Sequence, residues 1–220
     1  PVAKQIVTRA NQSIGEFGPI FEALGMDGGV DHDKIRANMD ARCDRGDKAE
    51  AQRKALRDAI AFKKYEFDAH GVEMNQRYHS GACLTDGTPE PAFERDPELH
   101  YQPTTWPGAR LPHAWVFDAA GGKHSALDLC GRGQFTLLTG IGGEPWVQAA
   151  MQQGLPIRCH VIGPRQAFVD HTGDWVRLSG IGDTGAILVR PDHHVAWRCE
   201  DLPKNPGAHL ERVLKKVLSL

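Results

Sequence analysis

Pro89, Pro91, Pro97, Pro103, Pro107 and Pro112 cut this 220-residue chain in two. Proline fixes φ, lacks an N–H, and pushes the residue before it out of the α region. Thr88-Pro89-Glu90-Pro91, Asp96-Pro97 and Gln102-Pro103 therefore cannot continue a helix and fit poorly inside a sheet. Trp106-Pro107-Gly108 is a turn signal. Residues 79–112 read as an extended linker between two units, with at most one short strand near Ala82–Leu84.

The part before the break is rich in Ala, Asp and Arg and reads helical. Ser13-Ile14-Gly15-Glu16 has the form of a capping box, though Gly15, Gly18 and Pro19 weaken a long helix there. Ile20, Phe21 and Leu24 suit a short helix ended by Gly25, and Gly28-Gly29 is a break. Asp31 or Asp33 can cap a helix running to about Arg42. Asp47-Lys48-Ala49-Glu50 is a second box opening the longest helix, about 48–68. Its apolar face is expected to be Leu56, Ala59, Ile60 and Phe67, flanked by Phe62.

The part after the break alternates strands and helices, and all five Trp lie between 106 and 197. Ala114–Asp118 reads as a strand, turned by Gly121-Gly122 and answered by Ser125–Leu129. Phe135–Thr139 is a strand, and Glu144-Pro145 begins a helix burying Trp146, Ala149 and Ala150. Ile157–Ile162 completes a βαβ unit. Asp174 can cap a short helix to about Ser179. Ala186–Arg190 and Val195–Arg198 form a hairpin around Pro191-Asp192-His193-His194. Asn205 caps, and Pro206 opens, a last helix with Leu210, Val213, Leu214, Val217 and Leu218 on one stripe. From 135 onward the order is β-α-β, short α, β-β-α, the element order of the thioredoxin fold. The preceding hairpin is expected as an addition at the edge or end of the sheet.

Little in these residues is self-contained chemistry. Thioredoxins place C-x-x-C between the first strand and its helix, where the helix N-terminus lowers the thiol pKa. Here that loop is Gly140-Ile141-Gly142-Gly143-Glu144-Pro145, without Cys. Gly180-Ile181-Gly182-Asp183-Thr184-Gly185 spells G-x-G-x-x-G but precedes a strand, whereas the dinucleotide fingerprint follows a strand and opens a helix. No H-x-x-x-H, H-E-x-x-H or H-x-H occurs, and Asp27–Asp33 lacks EF-hand spacing. No G-x-S-x-G frames Ser80, Ser125 or Ser179.

Charge and cysteines exclude further classes. Residues 1–100 hold 14 Lys/Arg against 18 Asp/Glu, and 101–220 hold 12 against 10, so no basic stripe invites nucleic acid. Apolar runs such as Ala186–Val189 fall far short of the ~20 residues of a membrane span. Cys43, Cys83, Cys130, Cys159 and Cys199 are evenly spread and odd in number, against a disulfide framework and for a reducing cytoplasm. A lone thiol such as Cys130 is the residual nucleophile to consider.

Particular stretches resemble a known family. Pro107-Gly108-Ala109-Arg110-Leu111-Pro112-His113-Ala114-Trp115 resembles the "PGARxPHxW" signature of FAD-dependent aromatic (phenol) hydroxylases. Leu127–Leu138 and Gly185–Arg198, the latter with Val189-Arg190-Pro191-Asp192-His193-His194-Val195-Ala196-Trp197-Arg198, resemble that class's C-terminal domain. His70–Tyr78 is similar to its "GxxxGxRY" segment. Glu16–Phe21 and Asp31–Arg36 resemble members acting on chlorophenols.

The resemblance implies an α/β chain with three parts. Residues 1–78 would be a mainly helical remnant of the flavin and substrate domains, 79–112 a Pro-rich linker, and 113–220 a thioredoxin-like domain without redox cysteines. The family's FAD loop and substrate pocket would lie upstream of Pro1. No catalytic, cofactor-binding or metal residue is therefore carried over. The parent would hydroxylate a phenol ortho to its hydroxyl with FAD, NADPH and O2, its substrate reached through those upstream domains. This part would be inactive alone, bind no FAD, and serve packing and contacts in a homo-oligomer, with no nucleic acid or membrane partner. The rival reading is a free-standing, non-catalytic interaction module.

Overall fold

Asn205 does what its position asks: its side chain accepts from the Ala208 amide at 3.0 Å and opens a helix at Pro206. That helix closes a chain seen here in a computed structural model, which describes residues 2–15, 17–26 and 31–219, Phe62 by its backbone alone. Glu16, Asp27, the Gly28-Gly29 break and the Phe62 side chain lie outside the described residues. The chain divides into two units, one of residues 1–73 and 95–101, the other of 74–94 and 102–220.

The first unit holds α1 (Val2–Gly15), α2 (Gly18–Leu24), α3 (His32–Ala41) and α4 (Asp47–Phe67), with α5 (His70–Met74) at its end. Asp31 caps α3, accepting from the amides of Asp33 and Lys34. Gly25 ends α2 with φ 73°, a left-handed cap that glycine adopts without a Cβ penalty. Two expectations fail here. Ser13 is not a cap; it lies inside α1 and its hydroxyl meets Lys63 and Glu66. The cap of α4 is Gly46, not Asp47, and it lends no side-chain bond.

The inward stripe of α4 is Ala49, Gln52, Leu56, Ala59, Lys63 and Glu66, about one residue in 3.5. Half of it is polar, so apolar letters alone misplace the face. Ile60 and Phe67 fall beside the stripe and are 51% and 73% exposed. A buried ionic seam does the work instead. Lys63 bonds the Ser13 carbonyl at 2.7 Å, pairs with Glu66 at 2.9 Å and lies 3.7 Å over the Phe17 ring. Arg9, also buried, pairs with Glu98 and lies over Tyr65.

The second unit contains two sheets. β3 (Phe135–Thr139), β4 (Ile157–Val161), β6 (Ala186–Val189) and β7 (Val195–Cys199) make a four-stranded sheet in the order β4-β3-β6-β7. β3 and β4 are parallel; β6 and β7 run antiparallel to their neighbours. α6 (Glu144–Met151) crosses from β3 to β4, α7 (Asp174–Ser179) precedes β6, and α8 (Pro206–Val217) follows β7. Successive strand residues point to opposite faces, except at the register shift between β6 and β7, where Ala196 and Trp197 share a face. Leu137, Leu188, Ala196 and Trp197 pack with Trp146, Ala149 and Ala150 of α6 and with Leu210, Val213, Leu214 and Val217 of α8. Leu138, Ile187, Val189 and Val195 pack on the other side with Leu111, Val116, Leu129, Cys130 and Trp175.

The early hairpin, β1 (Trp115–Asp118) with β2 (Lys123–Ser125), does not extend this sheet as expected. It joins β5 (Phe168–Val169) in a separate antiparallel sheet, β2-β1-β5. Ala126–Leu129, expected as returning strand, is a 3-10 turn. The reason is burial: all four residues of β6 are buried, so its second face needs a covering layer, and Val116 and Ala126 help supply it. At Ala82–Leu84, where at most one short strand is expected, none forms; Cys83 turns back onto Ser80, while Leu84 donates to the Ala196 carbonyl at 2.7 Å.

Candidate functional site

Segments far apart in sequence meet at the end of β7. Gly108 donates to the Val195 carbonyl at 2.8 Å, Val195 to Ala109 at 2.9 Å, and Leu111 to His193 at 2.8 Å. Arg110 thereby sits opposite His194. Tyr78 donates to the Gly108 carbonyl at 2.9 Å and sets its ring edge-on to His194, centroids 4.8 Å apart. Gly108 has φ 98°, and a Cβ there would run into the Tyr78 carbonyl, so this approach requires glycine. The Tyr78, Pro107–Trp115 and Gly185–Arg198 segments thus build one junction.

Three of its arginines are paired internally, while among the described residues Arg110 forms no ion pair. Arg190 forks onto Asp192 at 2.8 and 3.1 Å, and that bond raises the guanidinium further. Arg77 meets Glu90 at 3.1 Å and lies 4.1 Å over Phe93. Arg198 pairs with Asp86 at 2.6 Å and donates to Thr105, whose hydroxyl donates to the Ser179 carbonyl at 2.6 Å. Burial alone would raise the Asp86 carboxyl. The Thr88 hydroxyl and amide and the Arg198 guanidinium outweigh it and hold Asp86 below the ordinary carboxylate range. Carboxylates held ionised against arginines make a clamp, not an acid–base pair.

Residues 104–219 match the family described as aromatic-ring hydroxylase, C-terminal. The chain belongs to this family. It is 48% identical over 99% of its length to a 2,4-dichlorophenol 6-monooxygenase from Cupriavidus pinatubonensis, and 43% identical over 97% to a phenol 2-monooxygenase from a Pseudomonas species. It is also similar to the crystal structure of the flavin-dependent monooxygenase PieE in complex with FAD and substrate, with TM-score 0.83, 44% identity and all of this chain covered. The chain spans 36–38% of the length of these proteins.

Within this hydroxylase domain the glycine-rich segments are packing devices. In the β3–α6 loop, a Cβ at Gly140 would lie 2.5 Å from the Asp183 carbonyl, and one at Gly143 would strike the Thr139 side chain. Gly142 donates to Asp183 at 2.8 Å, and the Trp146 indole to Thr184 at 2.9 Å. The 183–184 backbone therefore occupies the approach that a pyrophosphate needs at a helix start. Gly180, φ 61°, ends α7, and its run leads into β6, as its order in the sequence indicates. Neither segment offers FAD a phosphate cradle.

The remaining candidates are also accounted for. Cys130 is buried, and burial pushes its thiol up to about 12 against a smaller opposing bond from Thr136. A thiol so protonated is a poor nucleophile. Ser125 Oγ does lie 2.8 Å from His113 Nδ1, a pairing that spacing could not reveal. The same Oγ accepts from the Leu127 amide, while Asp128 accepts from the Ser125 amide, so Ser125 is a helix cap. Among the described residues no three His, Cys, Asp or Glu gather as metal ligands, and no helix is long and apolar enough to cross a membrane.

Proposed function

We propose that this chain is the C-terminal portion of an FAD-dependent monooxygenase of the cytoplasm that hydroxylates phenols or chlorophenols ortho to the hydroxyl, consuming NADPH and O2. The carrying observation is similarity over nearly the whole chain to a 2,4-dichlorophenol 6-monooxygenase. Flavin supplies the oxygen-transfer chemistry in such enzymes. Residues 1–78 belong in this reading to the flavin and substrate domains, 79–112 link them, and 113–220 form a thioredoxin-like domain serving packing and contacts in a homo-oligomer. The sheet order β4-β3-β6-β7, with β3 and β4 parallel, supports the thioredoxin-like reading, and Gly143 stands where a redox cysteine would begin the helix.

The test uses this chain expressed both alone and in frame with a flavin domain of the family. The longer protein is expected to oxidise NADPH in response to 2,4-dichlorophenol and release the matching catechol. The 220-residue chain alone is expected to stay colourless after incubation with FAD and desalting. A yellow short chain, or a long chain that ignores phenols, refutes the reading.

A further inference from the structure

Two cavities of the second unit, about 340 and 250 Å³, share Thr85, Trp197 and His209 and form one cleft. Leu84, Trp197 and Val213 give the larger arm an apolar wall, and Arg212 and Lys216 line the same arm. These two cations are one turn apart on α8. Among the described residues neither forms an ion pair, because Glu211 of the same helix is taken by Lys215 at 2.8 Å. Like charges at this spacing repel. The helix C-terminus favours cations in its last turn, but it does not account for their convergence over an apolar recess.

His209 tunes the arm. Burial first, and the charge of Arg212 second, hold its imidazole below the ordinary value, which favours the neutral ring. Arginine can only donate, so the 3.4 Å contact from Arg212 Nη2 makes His209 Nδ1 the acceptor. The imidazole packs 5.4 Å from the Trp197 ring, between centroids. The smaller arm differs: Asp86 is already bound to Arg198, and Glu200 adds negative charge. An anion is therefore directed to the Arg212 end.

We propose that this cleft binds a small organic anion, an aromatic carboxylate in class, with its ring on Leu84, Trp197 and Val213 and its carboxylate between Arg212 and Lys216. Apolar walls with few convergent polar groups are the usual make-up of small-molecule sites, and the guanidinium fork matches a carboxylate. Inorganic phosphate would leave the apolar wall unused. The proposal concerns the second unit alone and stands independently of the flavin reading.

Benzoate is the probe, titrated at constant ionic strength into the ¹⁵N-labelled 220-residue chain. Saturable shifts are expected at the Trp197 indole N–H and along α8. The double substitution Arg212→Gln with Lys216→Gln is expected to weaken benzoate at least about tenfold, with the thermal midpoint unchanged because both residues are exposed. Benzyl alcohol and phosphate should each bind at least about tenfold more weakly than benzoate. The proposal is overturned by absence of saturation, by indifference to the double substitution, or by equal binding of either comparator.

Discussion

Leu214→Ala tests the second unit most directly. Leu214 is 3% exposed and belongs to the cluster of Leu137, Trp146, Leu188, Trp197 and Leu210. Truncation removes three carbon groups, worth about 0.8 kcal/mol each, or about 2.4 kcal/mol of lost transfer energy. The space left behind is walled by a sheet on one side and α6 on another, so it collapses incompletely, and the total rises toward the measured Leu→Ala range of about 2.7–5 kcal/mol. We expect about 3–4 kcal/mol on that basis. Lys216→Ala, on the exposed side of the same helix, should stay within about 0.5 kcal/mol. Urea unfolding followed by tryptophan fluorescence reads both, at two protein concentrations. Because the contacts are internal to the unit, the Leu214 loss should not depend on concentration. A loss that vanishes on dilution would make the stripe a subunit contact. No loss at all would refute the packing of α8.

Four further outcomes follow from named contacts. Cys130, with its thiol at about 12, should resist a thiol reagent at pH 7 in the native chain and react only on unfolding, whereas exposed Cys43 should react at once; rapid native labelling of Cys130 by mass spectrometry would contradict this. Gly108→Ala should cost about 1–3 kcal/mol, through a left-handed φ and overpacking on the Tyr78 carbonyl, read by the thermal midpoint. Asp86 is depressed when folded, so its stabilisation is present above the unfolded carboxyl value of about 3.9 and fades as pH falls through the lower folded value. Asp86→Asn should therefore lower stability at pH 7 and flatten the acid limb of a stability–pH curve; an unchanged limb would refute the clamp. A chain of residues 74–220 should unfold cooperatively and outlast one starting at Gly108, since the latter lacks buried Thr105 and Trp106; equal midpoints would show that 74–107 adds nothing.

Local signals were the legible part of the sequence. Asn205-Pro206 and the stripe Leu210 to Val217 depend on neighbours within a few residues, and the structure matches them closely. So do the Asp31 cap, the Gly25 stop and the β3-α6-β4 succession. Reading failed where the deciding partner was distant. The α4 face is not legible because Lys63 and Glu66 turn inward onto Ser13, 50 and 53 residues away in sequence. The hairpin was misplaced because its task, covering the second face of β6, is set by residues about 70 positions later. Of the junction, the motif segments were visible but their meeting was not: nothing in spacing joins Tyr78 to Gly108 or Asp86 to Arg198. The cleft shared this fate, since Leu84 and α8 reach it from opposite ends of the second unit.

Glycine shows why context outranks letters. Gly180–Gly185 carries the full dinucleotide spelling, yet Gly180 is a left-handed helix end and a Cβ at Gly185 would run into the Glu200 carbonyl. Gly140–Gly143 has the right strand-to-helix setting, yet its missing side chains admit the 183–184 backbone instead of a phosphate. Gly108 admits the Tyr78 backbone for the same steric reason. In each case the vacated Cβ volume is filled by this chain's own atoms, which converts conformational freedom into a fixed contact. Arg190 and Arg198 act alike, each turning its fork onto a nearby carboxylate, while Arg77 meets Glu90 through one nitrogen only. A junction built this way commits the Arg190 and Arg198 forks, with the carboxylates they meet, to holding backbone segments in register.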